Sequence, residues 1–203
     1  MPAFSVRPME TGERRESVAV LARAFWHDPL FDVFAKDLLH EQQLLPAFFS
    51  AVMNDVLRGG ARAWVAEFDG RPRGVAGWLA PGAYPRQRTH DALFQAQAML
   101  AVARVRHKAM ALRLLTELDR RHPTDPHWYL AVLGVDPSLQ GKGAGASLIA
   151  PVLERCDTEG LPAYLETQKE ANVPWYNRFA FTVTDEIRLP DAPPVWCMRR
   201  EPR

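Results

Sequence analysis

The eight residues of Trp128–Val135, WYLAVLGV, constrain the fold more than any other stretch. They carry no charge and no polar alternation, and they are too few for a buried helix. Such a run reads as a central strand covered on both faces. Residues 136–145 follow as a Gly-rich turn, and 146–159 show helical spacing closed by Gly160 and Pro162. Residues 163–167 are a further strand. The order strand, loop, helix, strand places one mixed α/β sheet at the centre of any fold this chain adopts.

The flanking segments extend that sheet. Residues 4–7 read as a short strand, and a helix begins near Thr11 with Val18, Leu21 and Phe25 on one face. Asp28-Pro29 is expected to end it, because proline disfavours helical geometry in the residue before it. Phe48, Phe49, Val52, Met53 and Val56 form a second helical stripe, stopped by Gly59-Gly60. Residues 61–68 and 74–79 read as strands around the turn Asp69-Gly70-Arg71-Pro72. After a loop at 81–85, residues 90–121 form a helical insert with Leu93, Leu100, Met110, Leu114 and Leu118 as core candidates, closed by His122-Pro123. Residues 172–178 read as a short helix or turn, and 181–187 with 195–199 as a closing pair of strands. No repeat interrupts the chain, so 1–203 is expected to be a single domain.

The chemistry-bearing signal is Gln140-Gly141-Lys142-Gly143-Ala144-Gly145-Ala146, between the buried strand and the helix. Glycines let successive backbone N–H groups turn into one concavity, and a helix N-terminus adds unpaired N–H groups and a positive dipole end. Such a nest suits a diphosphate. The Gln140 side chain can accept from the loop backbone or meet a phosphate, and Lys142 can add charge at the rim. A Walker A pattern fails here, because Asp136 stands where its first glycine belongs. A dinucleotide fingerprint G-x-G-x-x-A matches Gly141, Gly143 and Ala146, with Glu166 twenty residues beyond. Against it, five residues separate strand from glycine, and 57 residues after Ala146 are too few to complete a doubly wound sheet.

A third pattern, [QR]-x-x-G-x-[GA], is met by Gln140, Gly143 and Gly145. With Val135-Asp136-Pro137 before it, Asn172 and Tyr176 after the next strand, and Tyr176-Asn177-Arg178-Phe179-Ala180-Phe181 beyond, the segment resembles the acyl-coenzyme A site of the GCN5-related N-acetyltransferases. Ala180 stands where that family usually has Gly. Trp128-Tyr129-Leu130-Ala131, Leu165-Glu166-Thr167, Phe181-Thr182-Val183-Thr184 and Trp196-Cys197-Met198 are similar to the puromycin-acetylating branch of the family. The resemblance is dense from Trp128 onward and only general before it.

The resemblance implies a central sheet splayed at the cosubstrate site and direct transfer of an acetyl group from acetyl-CoA to a small amine, in a ternary complex. It implies that backbone groups of Leu133, Gly134 and Val135 hold the pantetheine arm. The diphosphate would lie on Gln140, Gly141, Lys142, Gly143, Ala144, Gly145 and Ala146, with Asn172 facing the arm from the other side. Tyr176 becomes the candidate acid toward sulfur; its other reading is a core aromatic beside Trp175 and Phe179. Glu166 becomes the candidate base through water; its other reading is a charged strand end. Trp26, Asp28 and Phe31 are acceptor-contact candidates in an aromatic-rich stretch, against an ordinary core cluster. An antibiotic-detoxifying role is one expectation. A nucleotide-dependent oxidoreductase and a non-catalytic protein that senses coenzyme A or an amine stay as rivals.

Composition trims the remaining options. Lys and Arg number 25 against 24 Asp and Glu, so no basic excess points to nucleic acid. Arg104, Arg106, His107 and Lys108 read as a solvated helix face. The six histidines show no i, i+4 pair on an expected helix, and Pro123 and Pro126 separate His122 from His127, so no metal is expected. Two cysteines, Cys156 and Cys197, cannot build a disulfide framework and read as buried small apolar residues. No apolar run approaches the ~20 residues of a membrane span, and the first residues lack a signal-peptide core. A cytoplasmic location is expected, with oligomeric state left open between monomer and homodimer.

Overall fold

The structure, a computed structural model, describes residues 4–58, 62–83 and 105–203. Its strands are β1 (Ser5–Pro8), β2 (Arg62–Phe68), β3 (Arg71–Leu79), β4 (Trp128–Val135), β5 (Ala163–Thr167), β6 (Thr182–Ile187) and β7 (Val195–Arg200). They form one sheet in the order β1-β2-β3-β4-β5-β7-β6. The helices are α1 (Arg14–Ala24), α2 (Pro29–Phe34), α3 (Leu38–Arg58), α4 (Lys108–Arg121), α5 (Ala144–Glu159) and α6 (Asn172–Asn177). The fold is therefore the expected mixed α/β sheet.

Connection length decides strand direction. Asp69 and Gly70 both have positive φ, 50° and 72°, which makes a two-residue hairpin turn whose twist matches its strands. β3 accordingly starts at Arg71, three residues earlier than the spacing predicts, and a register shift between Ala66 and Glu67 admits Pro72. β4 and β5, joined through α5, are the parallel pair, while the other neighbours are antiparallel. A doubly wound parallel sheet, which the dinucleotide fingerprint would serve, is absent among the described residues.

A core lies on each face of the sheet. Leu21, Phe49, Met53 and Val56 of α1 and α3 cover one face over Val65 and Val75. Leu148, Ile149, Val152 and Cys156 of α5 cover the other over Ala66, Ala76 and Leu130. β4 serves both, which is why its sequence does not alternate in polarity.

Its alternation also slips. Trp128 and Leu130 face α5 while Tyr129 and Ala131 face α1 and α3, yet Val132 shares the second face and Leu133 the first. Trp78 of β3 pairs with Leu130 and Gly77 with Val132, so Ala131 is an extra residue, a bulge that bends the strand. Pairing of β4 with β5 stops at the same point, Leu130 with Leu165. β4 continues to Val135 with that edge not paired to β5, and the sheet opens into a cleft.

The N-terminal half departs further from expectation. α1 stops at Ala24, and Asp28-Pro29 starts α2 rather than closing α1. The Asp28 carboxylate accepts the Leu30 N–H at 3.1 Å as an N-cap, and Pro29 suits the first helical turn, whose N–H groups have no intrahelical partner. α3 begins ten residues before the predicted stripe and accommodates Pro46. Three helices therefore stand where two were predicted. Leu93, Leu100, Arg104, the glycines 59 and 60, Ala61 and the end of the 81–85 loop lie outside the described residues. Of the expected insert, α4 is described: Leu114 is buried, and Met110 and Leu118 pack against the core.

Candidate active site

The cleft edge of β4 has an orientation set by pairing. The Asp136 N–H donates to Arg73 O at 2.7 Å, toward β3. Strand alternation therefore turns the backbone groups of Val135 and Leu133 toward the open side. The Val135 carbonyl on that side accepts from Gln140 Nε2 at 3.0 Å. Gln140 thus ties the loop back to the strand with its amide nitrogen, instead of offering that nitrogen to a phosphate.

Asp136 fixes the loop entry. It is buried, caps the 3-10 turn Pro137–Leu139, and accepts from Ser138 Oγ at 2.8 Å and Arg23 Nε at 3.0 Å. Burial alone would push its carboxyl up, but the hydrogen bonds from Ser138 and Arg23 outweigh that and hold it below the usual range. Gly141 (φ 73°) and Gly143 (φ 88°) then take left-handed conformations that a side chain would strain. Gly143 is the N-cap of α5, and the Ser147 N–H donates to Gly143 O. The N–H groups of Ala144, Gly145 and Ala146 therefore lie in the helix turn that precedes its own hydrogen bonding. Lys142 Nζ donates to Ser138 O at 2.9 Å, across the loop rather than into the nest.

The opposite wall comes from the segment after β5. Asn172 Nδ2 donates to Thr167 Oγ1 at 3.0 Å, which pins α6 to the end of β5. Trp175 packs over Gly145, where a Cβ would stand 3.3 Å from its ring. The Tyr176 ring sits between Trp175 and Phe181, at centroid distances of 4.8 and 5.8 Å. Burial pushes the Tyr176 phenol above its usual range, so it stays protonated at neutral pH.

Between these walls lies a cavity of about 300 Å³. Leu133, Gly134, Val135, Gln140, Gly141, Gly145, Asn172 and Tyr176 line it, as does Asp28. The geometry thus brings these cosubstrate candidates and one acceptor candidate to a single place, while Lys142, Gly143, Ala144 and Ala146 are not on its lining. The open strand edge, the left-handed glycines and the α5 N-terminus fit a pantetheine arm and a diphosphate, and no Cβ at Gly141 would meet protein within 4 Å.

Two other acceptor candidates are placed elsewhere. Phe31 is buried among Phe25, Phe48 and Phe49, in the core rather than on the cavity wall. Trp26 lines a neighbouring groove of about 490 Å³ with Arg23, Leu45 and Asp136.

Sequence reasoning missed Lys169. Its ammonium lies 3.4 Å from the buried Asp28 carboxylate, and both residues line the cavity. Burial raises the Asp28 pKa despite the opposing Lys169 charge. No local pattern flags a pair separated by most of the chain.

Glu166 is placed off the cavity lining. Its side chain is 8% exposed and lies 3.5 Å from His122 Nδ1. The chain brings His122 and His127 together across their prolines, with Nε2 atoms 3.0 Å apart. His27, Asp32 and Glu41 have ligand-type atoms within 4.8 Å of one another, but the Glu41 carboxylate already accepts the His27 N–H at 2.9 Å. Cys156 and Cys197 are buried, and burial pushes their thiols up to about 12 and about 11. No helix among the described residues is long and apolar enough to cross a membrane.

Comparison with known proteins agrees with this geometry. A family model described as the acetyltransferase (GNAT) family matches residues 22–181. An uncharacterised N-acetyltransferase of Schizosaccharomyces pombe is 30% identical over 214 residues, covering 98% of this chain and 84% of the relative. Among solved structures, a Corynebacterium glutamicum protein named histone acetyltransferase HPA2 and related acetyltransferase superposes with a TM-score of 0.73 at 24% identity, covering 99% of this chain and 97% of that one. Arylalkylamine N-acetyltransferase 2 of Aedes aegypti superposes with a TM-score of 0.64 at 16% identity, covering 98% and 99%. At these identities the superpositions show a shared fold.

Proposed function

The chain belongs to the acetyltransferase (GNAT) family and is an acyltransferase, and from that premise we propose that it carries an acetyl group from acetyl-CoA directly to the amine of a small molecule. The observation that carries this reading is the cavity at the β4–β5 divergence. It joins a backbone-built nest, a buried phenol and a buried carboxylate in one volume of about 300 Å³.

Acetyl-CoA supplies an activated thioester. The chain's own groups divide the rest of the work. Backbone groups of Leu133 and Val135 extend the β4 edge toward the pantetheine arm. The first turn of α5 and the loop 140–145 receive the diphosphate. Tyr176 holds a proton for the leaving sulfur, and its raised pKa keeps that proton in place at neutral pH. Asp28 faces the acceptor's ammonium, a position where Lys169 already shows that a cation is accepted. Glu166 is the base. Direct transfer is favoured because the chain's two cysteines are buried, protonated and away from the cavity lining.

The acceptor class is a compact primary amine carried on a flat or aliphatic body, which includes aminonucleosides such as puromycin. Structural neighbours named as arylalkylamine and polyamine N-acetyltransferases make arylalkylamines and agmatine sensible probes. Thiol release from acetyl-CoA should be followed with puromycin, tyramine, agmatine and amino acids. Release with at least one of them is expected, and acetyl-CoA should raise the melting temperature where NAD does not. Binding of coenzyme without release by any amine would support a sensor instead.

A further inference from the structure

The α1–α2 turn and the loop after β5 put opposite charges on one wall of the cavity. Among the described residues, its lining carries one carboxylate, Asp28, and one ammonium, Lys169. We propose that this pair reads a zwitterion, so that the acceptor is an α-amino acid whose ammonium faces Asp28 and whose carboxylate faces Lys169. This rests on the amine-acetylation reading above and narrows its acceptor class.

Each charge keeps capacity for a ligand. Asp28 Oδ1 accepts the Leu30 N–H at 3.1 Å, while Oδ2 faces Lys169 Nζ at 3.4 Å. The Asp28 side chain is 3% exposed, so burial works against its charge and the Lys169 ammonium supports it. An ammonium has three donors, more than this single contact uses. The Lys169 side chain is 37% exposed, on a flexible four-carbon stem. Its backbone is fixed, because the Lys169 carbonyl accepts the Asn172 N–H at 2.9 Å where α6 begins. The ammonium can therefore shift to meet a ligand while its root stays in place.

The rest of the described lining adds no charge. The Tyr176 phenol is protonated at neutral pH, because burial pushes it above its usual range. Gln140 Nε2 is committed to the Val135 carbonyl at 3.0 Å, and Asn172 Nδ2 to Thr167 Oγ1 at 3.0 Å. Ala24, Phe25 and Leu133 are apolar. Asp32, the next carboxylate of α2, is half exposed, stands 3.5 Å from His27 Nδ1 and lies off the lining.

Charge balance then selects the ligand. An alkylammonium at Asp28 sets two cations against one carboxylate, and like charges this close repel. It must drive Lys169 out of the pair and give it no new partner. An α-amino acid sets two cations against two anions. Its ammonium takes Asp28 Oδ2, its carboxylate takes Lys169 Nζ, and the four charges alternate in sign. Both ligand charges stand on one carbon, a short span that suits side chains 3.4 Å apart. An ω-amino acid must fold back on itself to meet both. The loop 140–145 and the α5 N-terminus answer the cosubstrate's diphosphate, which leaves the Asp28–Lys169 pair to the acceptor.

Steady-state thiol release from acetyl-CoA by the whole protein tests this, with alanine, methionine and phenylalanine each set beside its amide and its decarboxylated amine. For at least one side chain the amino acid should exceed the decarboxylated amine about tenfold in kcat/KM. Equal or higher activity with the decarboxylated amine in all three sets overturns the proposal. Lys169→Met should lower the ratio of kcat/KM for the amino acid to that for its amide about tenfold, a ratio in which losses of folded protein cancel. Lys169→Arg, which keeps the cation, should hold that ratio near wild type. An unchanged ratio in Lys169→Met overturns the proposal, and a raised KM for acetyl-CoA alone would place Lys169 on the cosubstrate instead. Release with puromycin or agmatine but with no amino acid overturns this inference and leaves the acetyltransferase reading standing. No release with any amine overturns both.

Discussion

The two walls of the cavity are made of different material. The β4 and α5 wall presents main-chain groups: a strand edge released by the Ala131 bulge, left-handed Gly141 and Gly143, and a helix N-terminus. The wall from the α1–α2 turn and the segment after β5 presents side chains: Asp28, Lys169, Asn172 and Tyr176. A backbone wall is indifferent to side-chain identity but intolerant of any added Cβ at its left-handed positions. A side-chain wall is the reverse. Its scaffold tolerates change, and its chemistry is lost when one polar group is removed.

The sharpest test of that contrast is Tyr176→Phe, which keeps the ring packed between Trp175 and Phe181 and removes only the hydroxyl. Loss of a general acid should lower kcat about 10²-fold with little change in the KM for acetyl-CoA. Unchanged turnover in a stopped assay removes the phenol from the acid role. Next in size is Gly143→Ala on the backbone wall. A Cβ at φ 88° adds about 1–2 kcal/mol of strain and should raise the acetyl-CoA Kd about tenfold, read by titration calorimetry, while the amine KM stays near wild type. Equal effects on both substrates would break the division between the walls.

Lys169→Met leaves the buried Asp28 carboxylate without its cation. Removing one partner of a fully buried pair costs about 3–5 kcal/mol, but Lys169 is 37% exposed, so a loss of about 1–2 kcal/mol is expected in urea unfolding. Ala180→Gly works in the other direction. Ala180 holds φ 65° in the turn from Tyr176 to Phe181, and glycine there should add about 1 kcal/mol and raise the Tm by about 2–4 °C in calorimetry.

The smallest effect is a pH slope. The folded-state pKa of Asp28 is raised, chiefly by burial, so between the ordinary carboxylate range and that raised value the folded chain binds the extra proton. Asp28 therefore contributes a stability that falls as pH rises through that window. Asp28→Asn, which still caps α2, should lack this slope, so its stability relative to wild type should improve with rising pH. A parallel pair of stability–pH curves would contradict the assignment.

Much of the backbone wall was legible beforehand. β4 and β5 have the predicted bounds, and α5 begins two residues early, because strand runs, glycine turns and helix periodicity are local properties of short segments. Asp28-Pro29 was misread because one dipeptide ends a helix before it and starts one after it, and only the packing of α2 against α3 selects between these. The resemblance named Asn172 and Tyr176, but Lys169 and His122 had no local signature.

What the linear order of residues determined by itself is the nest: where the chain must turn left-handed, where a helix must start, and which strand must be buried on both faces. These depend on φ preferences and on neighbours a few positions away. Only the tertiary structure decided the charged and proton-carrying contacts, Lys169 on Asp28 and His122 on Glu166. It also decided that Gly134 must lack a side chain, since a Cβ there would come within 2.9 Å of Leu21. Those pairings join residues far apart in sequence, and their geometry is set by how α1, α2 and α4 pack on the sheet, which no local preference encodes.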